Sequence, residues 1–140
     1  MTEITRSIEI SEPIDRVWEQ IDPKNWTKIF EFVKEVNGYT NGHPGVGTHA
    51  KVVAGEDSDL AVKYNVEITE FIENKKIVYR RYGGPLSGKG LIQLKPLQNG
   101  TLLTRISYYE DDLSEEIMHT LSQGMEKDNE KIKKCILCIK

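Results

Sequence analysis

The sequence predicts an α+β fold: a curved antiparallel sheet of about seven strands around one long C-terminal helix, with two short helices after the first strand. Three observations predict it. One apolar stripe, Leu113, Ile117, Leu121, Met125, Ile132, Cys135, Ile136 and Ile139, recurs at helical spacing, and at 1.5 Å per residue its about 26 residues make a helix of roughly 40 Å. Between residues 34 and 109 the hydrophobic period is close to two, as half-buried strands require. Two short segments near the start carry apolar residues three and four apart instead.

In chain order, Ile4, Ile8 and Ile10 alternate and read as the first strand. Ser11 is placed to cap a helix and Pro13 suits its first turn, and Ile14, Val17, Trp18 and Ile21 form the apolar face before Pro23 ends it. The segment NWTKIFEFV, with Trp26, Ile29, Phe30 and Val33, predicts a second short helix. VKEVNGYTNG and GTHAKVVAG then flank the loop HPGVG, and AVKYNVEITEF puts Val62, Tyr64, Val66 and Ile68 on one face. KKIVYRRY, GLIQLK and TLLTRISYYE complete the strands, with Asn99-Gly100 as a hairpin signal before the last. Asp112 as N-cap and Glu115 three residues on suggest a capping box that opens the long helix.

A chain of 140 residues suits one domain, residues 1–140, with a core that needs neither disulfide nor metal. No apolar run approaches the roughly 20 residues of a membrane helix, and MTEITRSIEI alternates rather than forming a signal peptide's apolar block. An intracellular, cytoplasmic protein without membrane insertion is the expectation. A net charge of −3 with no basic stripe argues against nucleic acid as partner, since phosphate neutralisation needs clustered Lys and Arg.

Two motifs invite chemistry and are read plainly. GGPLSGKG, residues 83–90, approaches a phosphate-binding loop, but Gly90 replaces the metal-binding hydroxyl, and Leu91, Ile92 and Leu94 continue as a strand where a helix is needed. A glycine-rich hairpin is therefore expected. In CILC, Cys135 and Cys138 end a helix, where the dipole opposes a thiolate, so they read as packing residues. His43, His49 and His119 lack metal-ligand spacing, so no metal is expected.

SEPIDRVWEQIDPKNWTKIFEFVKEV, PGVGTHAKVV, EITEFIENKKIVYR and NGTLLTRISY together resemble the START-like, helix-grip superfamily (SRPBCC), specifically its polyketide cyclase/dehydrase-type branch. Pro13, Val17, Trp18, Trp26, Gly45, Gly47, Glu70, Gly100 and Thr101 match that branch's recurring positions, and the resemblance spans nearly the whole chain. The resemblance implies a deep, mostly apolar cavity between the sheet's concave face and the long helix. The superfamily includes lipid carriers, plant hormone and allergen-type proteins, aromatases and cyclases, and chaperone co-factors, so the fold alone selects no function. The expected partner is a small hydrophobic ligand, without a cofactor, bound by a monomer or homodimer. An enzyme of the cyclase or dehydratase type and a protein-interaction module, with an exposed apolar patch around residues 26–33, stand as alternatives.

The candidate ligand-binding residues are Trp26, Phe30, Tyr64, Val66, Tyr79, Ile92 and Met125 for the wall, with Arg81, Arg105 and Asp128 as polar anchors. Asp128 stands seven residues after Leu121 and four before Ile132, on or beside the apolar stripe, where an unpaired carboxylate is costly. Arg81 and Arg105 are its candidate partners. For strand 101–109 two registers compete: periodicity turns Leu102, Ile106 and Tyr108 inward, whereas the family register turns Leu103, Arg105, Ser107 and Tyr109 inward. Tyr82 and Tyr108 are further phenol donors, and Gly124 suggests a close approach to the long helix. No nucleophile stands at convincing spacing from a base.

Overall fold

From the second strand onward each strand pairs with the next in sequence, and the first pairs with the last, which fixes the sheet. A computed structural model describes residues 1–30, 32–39, 44–54 and 62–138 of the protein. Seven strands form one antiparallel sheet: β1 (Thr2–Ile10), β2 (Val33–Asn37), β3 (His49–Ala54), β4 (Val62–Ile72), β5 (Lys76–Tyr82), β6 (Gly88–Leu97) and β7 (Gly100–Tyr109), in the order β1-β7-β6-β5-β4-β3-β2. α1 (Ile14–Ile21), a single 3₁₀ turn (Pro23–Asn25) and α2 (Trp26–Ile29) carry the chain from one sheet edge to the other. α3 (Glu115–Cys138) lies across the concave face. A register shift between Ile68 and Glu70 on β4 adds the local bend and twist of a β-bulge.

The core follows from the alternation. Val66, Ile68, Ile77, Ile92, Leu94 and Leu103 point inward from the sheet and meet Val17, Trp18 and Ile21 of α1, Trp26 and Ile29 of α2, and Ile132 and Ile136 of α3. A second, smaller cluster joins Ile4, Leu86, Tyr109, Leu121 and Met125 at the other end of α3. Burying each such aliphatic side chain is worth about 1.5–3 kcal/mol. Inside this core the Trp26 indole donates its N–H to the Ile21 carbonyl at 2.8 Å, which ties α2 to the end of α1.

Several local expectations are corrected. Pro13, not Ser11, is the N-cap residue of α1, and its carbonyl accepts from Arg16 and Val17. α2 stops at Ile29 because Phe30 turns extended and Val33 already pairs with Val52 on β3. Ser114, not Asp112, caps α3, its hydroxyl accepting from the Ile117 amide at 3.2 Å. At the β6–β7 hairpin Leu97 faces Gly100, so the turn falls on Gln98 and Asn99, and Gly100 serves a close approach instead: a Cβ there would overlap the Ile10 carbonyl. GGPLSGKG is the β5–β6 hairpin, as expected, with Gly83 at φ 73° and Leu86 dropped into the smaller cluster. His43 and Ile139 lie outside the described residues, as does the side chain of Cys138.

Candidate ligand cavity

The site is built from two cross-strand rows. Tyr79 on β5 stands opposite Gly90 on β6, which stands opposite Ser107 on β7, and one step along Arg81, Gly88 and Tyr109 repeat the arrangement. Glycine at both β6 positions leaves a trough on the inner face. A Cβ at Gly90 would overlap the Tyr79 phenol, and one at Gly88 would overlap the Tyr108 carbonyl. Tyr79 and Arg81 thus lie over β6 toward β7. The Arg81 guanidinium donates to the carbonyls of Tyr108 at 2.5 Å and Lys89 at 3.0 Å, with its carbon 4.1 Å from the Tyr109 ring centroid.

β7 adopts the register that turns Thr101, Leu103, Arg105, Ser107 and Tyr109 inward, and the reading from periodicity fails here. The apolar residues of its other face, Leu102, Ile106 and Tyr108, are half-covered by cross-strand neighbours such as Lys95, Leu91 and Lys89. Arg105 therefore points at α3, where its Nη1 donates to Asp128 Oδ2 at 3.1 Å, both side chains about nine-tenths buried (11% and 10% exposed). Of the two candidate partners for Asp128, Arg105 makes this bond. The Arg105 guanidinium also lies 4.6 Å from the centroid of the buried Phe30 ring, a cation–π contact.

Two small cavities meet at this cluster. The first, about 70 Å³, is bounded mainly by Trp26, Phe30, Val52, Val66 and Ile92. The second, about 50 Å³, is bounded mainly by Arg81, Ser107, Tyr109, Leu121 and Met125. Phe32, Tyr64, Tyr79, Arg105 and Asp128 border both. All ten candidate residues thus line one space or the other. Tyr82 and Tyr108 do not: Tyr82 meets His49 and Arg80, and Lys89 lies over Tyr108. A larger hollow of about 620 Å³ beside Ile14, Ile72 and Lys76 is open to solvent and gathers none of these buried polar groups.

The electrostatics single out Tyr79. Burial pushes its phenol up, but the Arg105 and Arg81 guanidiniums and hydrogen bonding with Arg105 and Ser107 outweigh burial and leave it below the ordinary tyrosine value. Tyr64 and Tyr109 go the other way, raised chiefly by burial. Burial disfavours the Arg105 charge, yet Tyr79 and Asp128 more than restore it. The Nε atoms of Arg105 and Arg81 are buried without a hydrogen-bond partner. No cluster of metal-ligating side chains occurs among the described residues.

Phe32, Val52 and Leu121 also border the cavities and were not among the candidate ligand-binding residues. Phe32 is off the helical stripe of residues 26–33 and becomes visible only once α2 is known to end early. Its ring explains Gly124: a Cβ there would stand 2.9 Å from Phe32 Cε2. Trp26, Ile29 and Phe30 are buried, so they offer no exposed apolar patch.

The sheet order, the two short helices and the long helix over the concave face define a START-like, helix-grip protein. The chain belongs to the family described as polyketide cyclase / dehydrase and lipid transport, whose model matches residues 1–134. No match was found among curated proteins. Among solved structures, it is similar to a protein of Thermus thermophilus (16% identity, 99% of each chain, TM-score 0.77). It is similar too to the Aha1 dimer of Colwellia psychrerythraea (14% identity, 97% of this chain and 96% of that one, TM-score 0.73). A third likeness is to Ara h 8.0201 (16% identity, 98% of each chain, TM-score 0.71). At these identities the likeness is one of fold. Among the described residues no helix is long and apolar enough to cross a membrane.

Proposed function

We propose that the protein binds a small, mostly apolar molecule in the space between the sheet and α3, with Tyr79, Arg105 and Asp128 as its polar contacts. The observation that carries this reading is a buried, hydrogen-bonding polar cluster on the wall of an otherwise apolar cavity. Folding does not favour such a cluster: replacing a buried ion pair with apolar side chains is often neutral or stabilising. The size of the space limits the guest. Drug-sized ligands fill about 300–1,000 Å³, so spaces of about 70 and 50 Å³ suit a small molecule, and a lipid chain would require Phe32 or α3 to move. Titrating benzyl alcohol while following methyl resonances tests the reading. Shifts concentrated at Val52, Val66 and Ile92 support it; shifts confined to surface methyls, or none, refute it.

A second reading, an enzyme of the cyclase or dehydratase type, draws on the acidity of Tyr79. A phenol held below its ordinary value beside a guanidinium is suited to exchange a proton with a bound carbonyl compound. Asp128 is the poorer candidate, being engaged by Arg105. In this reading Tyr79→Phe lowers turnover by a far larger factor than it lowers ligand affinity; unchanged turnover would dismiss it.

A further inference from the structure

The charged residues that line the two cavities are Arg81, Arg105 and Asp128, two cations against one anion. Arg105 is matched by Asp128. Arg81 is 5% exposed, and its guanidinium rests on two backbone carbonyls and on the faces of Tyr109 and Tyr79, which offset a cation without neutralising it. A buried positive charge in excess is costly. Each of the two guanidiniums also keeps a buried Nε–H without a protein acceptor, whereas the large majority of buried side-chain polar atoms have one. The polar groups are unevenly placed. Arg81, Ser107 and Tyr109 surround the second space, whereas Trp26, Phe30, Val52, Val66 and Ile92 surround the first.

From this arrangement we infer that the ligand is a small monoanion, a carboxylate or an enolate, with its charged oxygen in the second space against Arg105 and Arg81 and its apolar body in the first. The inference rests on the cavity being a ligand site, and it names the chemical class of that ligand. A carboxylate offers acceptors to the two guanidiniums and cancels the excess charge. A neutral guest does not cancel it. Ser107 and the Tyr79 phenol complete the donors around the anion.

The test compares benzoate with benzamide, nearly identical in shape and differing in charge, near neutral pH by calorimetry and by the methyl resonances of Val52, Val66 and Ile92. Benzoate is expected to bind at least about tenfold tighter, as hydrogen bonds to a charged group are worth about 1.5–3 kcal/mol. Arg105→Gln should remove most of that preference. Because this variant leaves Asp128 buried beside a neutral group and risks unfolding, Asp128→Asn supplies the opposite sign: freeing Arg105 should increase the preference for benzoate. Equal affinity for benzoate and benzamide, or a preference that Asp128→Asn lowers, overturns the monoanion inference and leaves the cavity reading standing. Failure of both compounds, and of benzyl alcohol, to shift those methyls overturns both.

Discussion

The Tyr79 phenol occupies the space that any side chain on Gly90 would need. The two residues face each other across β5 and β6, so the fit depends on one missing Cβ. Gly90→Ala should displace the Tyr79 ring from Ser107 and Arg105 and return its ionisation toward that of an ordinary tyrosine. Ultraviolet titration of the variant checks this; an unchanged early ionisation would contradict it.

In the wild-type protein the same titration should separate Tyr79 from Tyr64 and Tyr109. Tyr79 ionises below the usual 10.0, held down against burial by Arg105 and Arg81. Tyr64 and Tyr109 ionise above it because they are buried. The signs for stability are opposite. Tyr79, depressed when folded, adds stability only as pH rises through its folded value. Tyr64 and Tyr109, raised when folded, contribute stability that is fully present below about pH 10, the unfolded value, and is lost as pH rises through their folded values. Unfolding on the alkaline side should therefore begin later in Tyr64→Phe than in Tyr79→Phe.

The Arg105–Asp128 bond predicts a non-additive pair. Arg105→Leu alone removes the guanidinium that donates to the buried Asp128, and Asp128→Leu alone the carboxylate that accepts from the buried Arg105, each costing roughly 3–5 kcal/mol. Replacing both together should recover most of that loss, read by urea unfolding. Additive losses would mean that the two side chains do not act as a pair.

Gly124→Ala should separate stability from binding. The substitution gains about 1 kcal/mol of helix propensity, while the new methyl presses on the Phe32 ring. Phe32 borders both cavities, so the ring is expected to yield into them. Thermal stability should change little and ligand affinity should fall; unchanged affinity would show that Phe32 moves elsewhere.

The architecture was legible because period-two and helical patterns are local. Ile14 to Ile21, Val62 to Ile68 and the stripe of α3 each declare one buried face. β7 misled periodicity because its inner face carries Arg105 and Ser107 while its outer face keeps Leu102, Ile106 and Tyr108, and only the family register recovered it. Asp128 was visible as a carboxylate on an apolar stripe and its partner was narrowed to Arg81 or Arg105, but the choice fell to Arg105 only where α3 crosses the sheet. GGPLSGKG was legible as a hairpin, but what two of its glycines make room for was not. Gly88 and Gly90 look like loop chemistry along the chain, yet Gly90 proves to be clearance for the Tyr79 phenol and Gly88 for the Tyr108 backbone across it.

The most direct test of the central claim, that the space between sheet and α3 is a binding site, is native mass spectrometry of the protein purified from its own host. A one-to-one mass excess that denaturation releases as a small organic molecule is the predicted result. A bare protein, or one that retains only another protein chain, would contradict it.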